Sequence, residues 1–157
     1  DSIYYVEKCR ELGIGISASI FEPSFLKFIL AYYRADKLPT GTMVKLYFGA
    51  DNLSFGLPPT AASLNAYLSM MGDCDLPWLV SSFGDDCVGC GLAEEAISLG
   101  GHVQVGLEPY TGSRTPSNVE LVTEVVSLAK KYHRPIATPA MAAEILALPS
   151  YPVSYSK

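Results

Sequence analysis

The regular alternation of strand-like and helix-like segments constrains this chain more than any other feature. Strand-like runs begin at residues 14, 43, 78 and 102, which lie 29, 35 and 24 residues apart. Each is followed by a segment with helical periodicity. Repeats of this length are successive βα units, and such units build parallel sheets through right-handed crossovers. The pattern predicts strands over Ile14–Phe21, Met43–Phe48, Trp78–Ser82 and His102–Leu107. It predicts helices over Ile3–Leu12, Phe25–Ala35, Ala61–Met71, Gly91–Leu99 and Asn118–Tyr132, with a short closing helix over Ala140–Ala147. Gly13 is a natural stop for the first helix. Phe25, Phe28, Ile29 and Tyr32 make a helical stripe, as do Val119, Val122, Val125, Val126 and Ala129. Ser117 and Glu120 match a capping box, and Thr138 followed by Pro139 is a cap with proline at the first helical position. The fold class is therefore α/β. Four units fit either an open doubly wound sheet or half of a (β/α)8 barrel, whose complete form needs roughly 250 residues.

Composition narrows the partners. The chain has 157 residues, 49% of them hydrophobic and 17% charged, as suits strands buried on both faces. Its net charge of −5, with no basic stripe, argues against nucleic acid. No apolar run approaches the ~20 residues of a membrane span. The chain opens on Asp1 in the body of a helix, so a longer polypeptide is expected. Cys9, Cys74, Cys87 and Cys90 lack the second pair that a zinc ribbon requires, and buried thiols in an intracellular, reduced compartment account for them better than a metal or redox motif.

Three places carry candidate chemistry. The Gly- and Pro-rich loop 49–60 follows the second strand on the C-terminal face, where βα folds keep their substrate loops; an ordinary crossover connection is an equal reading. After the third strand, the hydroxyls of Ser81 and Ser82 can bond a carbonyl or carboxylate, and Ser82 is the candidate substrate contact. The adjacent Asp85-Asp86 reads first as a solvated turn and second as a base or metal ligand. The fourth strand runs into Glu108, which must be solvated, paired or metal-bound because burying it alone is costly. Alternation puts Gln104, Gly106 and Glu108 on one face. His102 begins that strand and His133 ends a helix, so neither stands ready to share a metal with Glu108.

The stretch 99–148 resembles the C-terminal part of the beta-keto acid cleavage enzymes. The match is carried by Ala96-Ile97-Ser98-Leu99-Gly100-Gly101-His102-Val103, Val105-Gly106-Leu107-Glu108, Ser117-Asn118-Val119-Glu120-Leu121-Val122, Ile136-Ala137-Thr138-Pro139 and Ala142-Ala143-Glu144-Ile145-Leu146-Ala147-Leu148. Glu7-Lys8-Cys9-Arg10-Glu11-Leu12-Gly13 and Ile20-Phe21-Glu22 match more loosely. The resemblance implies the C-terminal half, units five to eight, of a TIM barrel over residues 1–148, with 149–157 as a terminal arm. It implies zinc held by Glu108 and by a His-x-His pair in an N-terminal half absent from these residues. It also implies a homo-oligomer and a reaction of a small 3-keto acid with acetyl-CoA, giving acetoacetate and an acyl-CoA. Zinc would polarise the oxygens of the keto acid. Gly106 would line the substrate site.

Two departures from the family pattern set up an alternative. Gln104 stands where the family usually has a catalytic Arg, so a charge-assisted contact gives way to a neutral one. Pro109 stands where the family usually has Asp, and it has no proton to transfer. Ser19 ends the first strand where an acidic residue is common. A non-catalytic barrel homologue, kept as an interaction or assembly subunit, is the competing expectation.

Overall fold

The computed structural model describes residues 2–148. The proposed terminal arm, 149–157, lies outside the described residues. The order of elements is α1 (Ser2–Leu12), β1 (Ser17–Ile20), α2 (Pro23–Arg34), β2 (Met43–Gly49), α3 (Ala61–Met71), β3 (Trp78–Phe83), α4 (Leu92–Ser98), β4 (His102–Val103), α5 (Asn118–Lys131) and α6 (Pro139–Ile145). The four strands form one sheet in the order β1-β2-β3-β4, every neighbouring pair parallel. Strand order follows chain order without reversal. A doubly wound sheet reverses at a switch point, and no such reversal occurs among the described strands.

The sheet has two unlike faces. Ala18, Ile20, Val44, Leu46, Phe48 and Val80 join one core cluster with Leu26, Leu30, Leu64, Tyr67 and Ala96 from the helices. The alternating residues Ser19, Lys45 and Leu79 face the other way and are only half-buried. Burial on both faces, as expected from composition, is therefore complete on the helix side alone.

Several elements differ from expectation in length or facing. β1 covers 17–20, because residues 14–16 precede the register with β2 that starts at Ser17 and Met43. β4 pairs only through His102 and Val103, with one more ladder bond from the Gln104 amide to the Val80 carbonyl at 2.9 Å. It has a partner on one side only, so residues 105–107 leave the ladder. On α2 the buried residues are Leu26, Ile29 and Leu30. Phe25 and Phe28 are 48% and 40% exposed, lining a groove with Ser19 along the free edge of β1. On α5 Leu121 and Ala129 are buried, whereas Val119 is 75% and Val122 51% exposed.

The helix termini follow their local chemistry. The Ser117 hydroxyl accepts from the Glu120 amide and the Glu120 carboxylate accepts from the Ser117 amide, completing the capping box of α5. Thr60 caps α3 by accepting from Ser63, and Thr138 caps α6 by accepting from Met141. No helix among the described residues is long and apolar enough to cross a membrane. Replacing Ser117 with Ala removes an N-cap acceptor and is expected to cost about 1 kcal/mol of stability, read as a lower midpoint in urea unfolding with an unchanged slope.

Candidate functional site

Register dictates what meets at the C-terminal end of the sheet. Tyr47 on β2 pairs with Ser81 on β3, and the Gln104 bond to Val80 continues the β3–β4 register one residue further. Tyr47, Ser81 and Gln104 therefore form a row across three strands on the face away from the helices. The Tyr47 hydroxyl donates to Gln104 Oε1 at 3.3 Å, spanning the row. Ser81 lies fully buried in the row, and its hydroxyl has no partner among the described residues.

Aromatic rings close over the same end. Phe21, just after β1, stacks on Tyr47 at 4.8 Å between centroids. Phe83 meets Tyr47 edge-on at 5.2 Å, and Phe55 meets Phe21 edge-on at 5.3 Å. Phe55 belongs to the Gly- and Pro-rich loop after β2. That loop folds back over the open face. Two glycines allow the approach. A Cβ on Gly49 would lie 2.0 Å from the Phe55 carbonyl oxygen, and Gly56 sits at φ +80°. The Gly56 amide donates to Glu22 Oε1 at 3.1 Å, tying the loop to the end of β1.

The loops after β3 and β4 are joined by backbone bonds. The Gly84 amide donates to the Pro109 carbonyl at 3.0 Å, and Asp85 bridges to Tyr110. Asp86 accepts from the Val88 and Gly89 amides at 3.1 and 3.0 Å and pairs with Arg114 at 2.9 Å. Burial pushes the Asp86 carboxyl up, but those amides and the guanidinium outweigh it and hold it below the usual carboxylate range. The pair of aspartates is thus a braced turn.

The residues named from sequence divide into two groups. Ser82, Gln104 and Gly106 line one small crevice with Cys87 and Leu121. Ser82 shares the helix-packed face with Phe48, its register partner, and lies beside the Cys87 thiol. Glu108 is separate. The chain has left the strand by then, so alternation no longer governs it, and Glu108 is exposed in a turn. Asn118 at the start of α5 steadies that turn by accepting from the Leu107 amide at 3.2 Å. His102 is half-buried, and burial with Arg134 nearby lowers its pKa. Burial pushes the Cys87 thiol up to about 12 and raises Cys90 as well. Among the described residues no three His, Cys, Asp or Glu side chains gather to hold a metal.

The sequence reading passed over Lys45, Tyr47, Phe21 and Phe55. The signal was present in the second strand, where Lys45 and Tyr47 alternate with Val44, Leu46 and Phe48.

The model of the beta-keto acid cleavage enzymes matches residues 2–148. The chain belongs to that family. It is similar to the 3-oxoadipate:acetyl-CoA acetyltransferase of Cupriavidus necator, 29% identical over 136 residues that cover 83% of this chain and 46% of the relative. It is also similar to the 3-keto-5-aminohexanoate cleavage enzymes of Acetoanaerobium sticklandii and Fusobacterium nucleatum. Each of these is 49% identical over 61 residues, covering 36% of this chain and 22% of the relative. The chain spans about half the length of these curated relatives, its matched residues covering at most 46% of them. Within this family member the strand ends and their loops form one connected patch, in which Gln104 is bonded to Tyr47 and the Pro109 carbonyl to the Gly84 amide.

The brace at Asp86 has a pH signature. Its carboxyl is held below the unfolded value, so its contribution is present above about pH 4 and is lost as pH falls through the folded value. Asp86→Asn should flatten that acid limb of the stability curve, measured by unfolding between pH 2 and 7 (about that range, set by the carboxylate values).

Proposed function

We propose that this family member acts on a 3-keto acid and acetyl-CoA, yielding acetoacetate and an acyl-CoA. The acyl group of the keto acid leaves its two-carbon fragment for the CoA sulfur, and the acetyl group takes its place on that fragment. The observation that carries this reading is the family match over nearly all described residues, with Glu108 exposed beyond the C-terminal end of β4. The names of the similar proteins from Cupriavidus necator and Acetoanaerobium sticklandii describe the same kind of chemistry. We propose further that the sheet is units five to eight of a TIM barrel. The uninterrupted strand order, the helices on one face and the one-sided β1 and β4 support this. The partner is then the remaining barrel units, from the same or a second chain, and an oligomer of the completed barrel.

The described residues do not by themselves fit a zinc ion. They offer Glu108 as one oxygen ligand and no gathered set, whereas a catalytic zinc needs three protein ligands. The proposal therefore assigns Glu108 one coordination position and leaves the others to residues beyond those described. What this chain does itself is shape the open face. Phe21 and Phe83 pack their rings on Tyr47 in the row that also holds Ser81 and Gln104. Asn118 holds the turn that presents Glu108.

A second reading, a non-catalytic barrel used for assembly, is favoured by Gln104, whose side-chain oxygen is taken up by the Tyr47 hydroxyl. Elemental analysis of the full-length protein, with turnover of 3-keto acids and acetyl-CoA, separates the two. The enzyme reading expects equimolar zinc and acetoacetate formation, with Glu108→Ala losing both while the protein stays folded. A folded, zinc-free and inactive preparation leaves the assembly reading.

A further inference from the structure

The face of the sheet away from the helices carries a cation that no carboxylate answers among the described residues. Lys45 alternates with the core residues Val44 and Leu46, so it points to the open face. Its ammonium lies 5.4 Å from the centroid of the Tyr47 ring, two residues further along β2, and so it leans toward the C-terminal end of the strand. It takes part in none of the ion pairs of the described residues.

Two further donors share this face. Ser81, in register with Tyr47, is fully buried with an unpartnered hydroxyl. A buried hydroxyl without a partner is costly, and its natural remedy is an acceptor supplied from outside the chain. Gln104 accepts from Tyr47 through its oxygen, which leaves its amide hydrogens to donate. An ammonium, a hydroxyl and a carboxamide thus stand on one face with no anion among them. Beside them Phe21, Phe55 and Phe83 make an apolar wall, half-exposed and in mutual contact.

We propose that Lys45, Ser81 and Gln104 form a carboxylate-binding subsite for a short acid with an apolar chain, the chain lying against Phe21, Phe55 and Phe83. The donors suit a carboxylate, and the aromatic wall offers no donor to a second one, so a dicarboxylate is a poorer fit than a plain alkyl acid. As an account of the substrate, the subsite rests on the keto-acid reading above. As a binding site it does not.

The test uses hexanoate and its neutral counterpart 1-hexanol, titrated calorimetrically into the full-length protein. Hexanoate should bind, and Lys45→Met should weaken it about tenfold or more, while Lys45→Arg keeps it and 1-hexanol is indifferent to both changes. Ser81→Ala should also weaken hexanoate without lowering the melting temperature, since it removes an orphaned hydroxyl. That outcome separates lost binding from lost folding. Failure of the wild-type protein to bind hexanoate, or equal binding by wild type and Lys45→Met, overturns the subsite. Turnover distinguishes this from failure of the enzyme reading. Acetoacetate formation with a KM unmoved by Lys45→Met removes the subsite and keeps the enzyme. Lys45-dependent hexanoate binding without any turnover keeps the subsite and removes the enzyme.

Discussion

The parallel pairing of β2 with β3 is the interaction on which the candidate site depends. Its register, Tyr47 with Ser81 and Gly49 with Phe83, decides which side chains share a face. A shift of one residue would turn Tyr47 and Lys45 into the helix-packed core and bring Leu46 and Phe48 to the open side. The register is held because Val44, Leu46, Phe48 and Val80 are all completely buried against the helices. Each of them would lose that burial on slipping, at roughly 1.5–3 kcal/mol per side chain. The core on one face thus specifies the chemistry on the other.

Loop closure builds on that frame. The return of loop 50–57 over the open face needs close backbone contact at Gly49 and a left-handed residue at Gly56, and it ends with the Gly56 amide on Glu22. The loops after β3 and β4 are fastened by Gly84 to Pro109 and by the Asp86–Arg114 brace. Arg114 also pairs with Glu124 on α5 at 2.6 Å, so the brace reaches the final large helix. These ties place Glu108 and the aromatic wall on the same end of the sheet, although no single bond links them.

The apolar residues left exposed are as informative as those buried. Val119 and Val122 on α5, Ile3 and Tyr4 on α1, and Phe25 and Phe28 on α2 belong to helices flanking the two one-sided strands, or to the helix that precedes β1. Exposed apolar surface at both ends of a parallel sheet is what an incomplete array of βα units presents. It agrees with a chain that spans about half the length of its curated relatives.

Much of this was legible in the sequence. The spacing of apolar runs specified the βα order, because 3.6- and 2-residue periodicities report directly on which element can bury an apolar face. The caps at Ser117 and Thr138 and the turn at Asp85-Asp86 were readable because they are satisfied within a few residues of chain. The family motifs around Glu108 were also a property of the string of residues. Tertiary structure alone decided the rest. β4 stops at Val103 because it has one neighbour, and so Glu108 escapes the alternation that sequence would impose on it. Val119 and Val122 match a buried stripe but stay exposed because nothing described packs on them. Ser81 and Ser82 are adjacent and chemically identical, yet one faces the row with Tyr47 and Gln104 and the other faces the core, a distinction that only the register of distant strands can make.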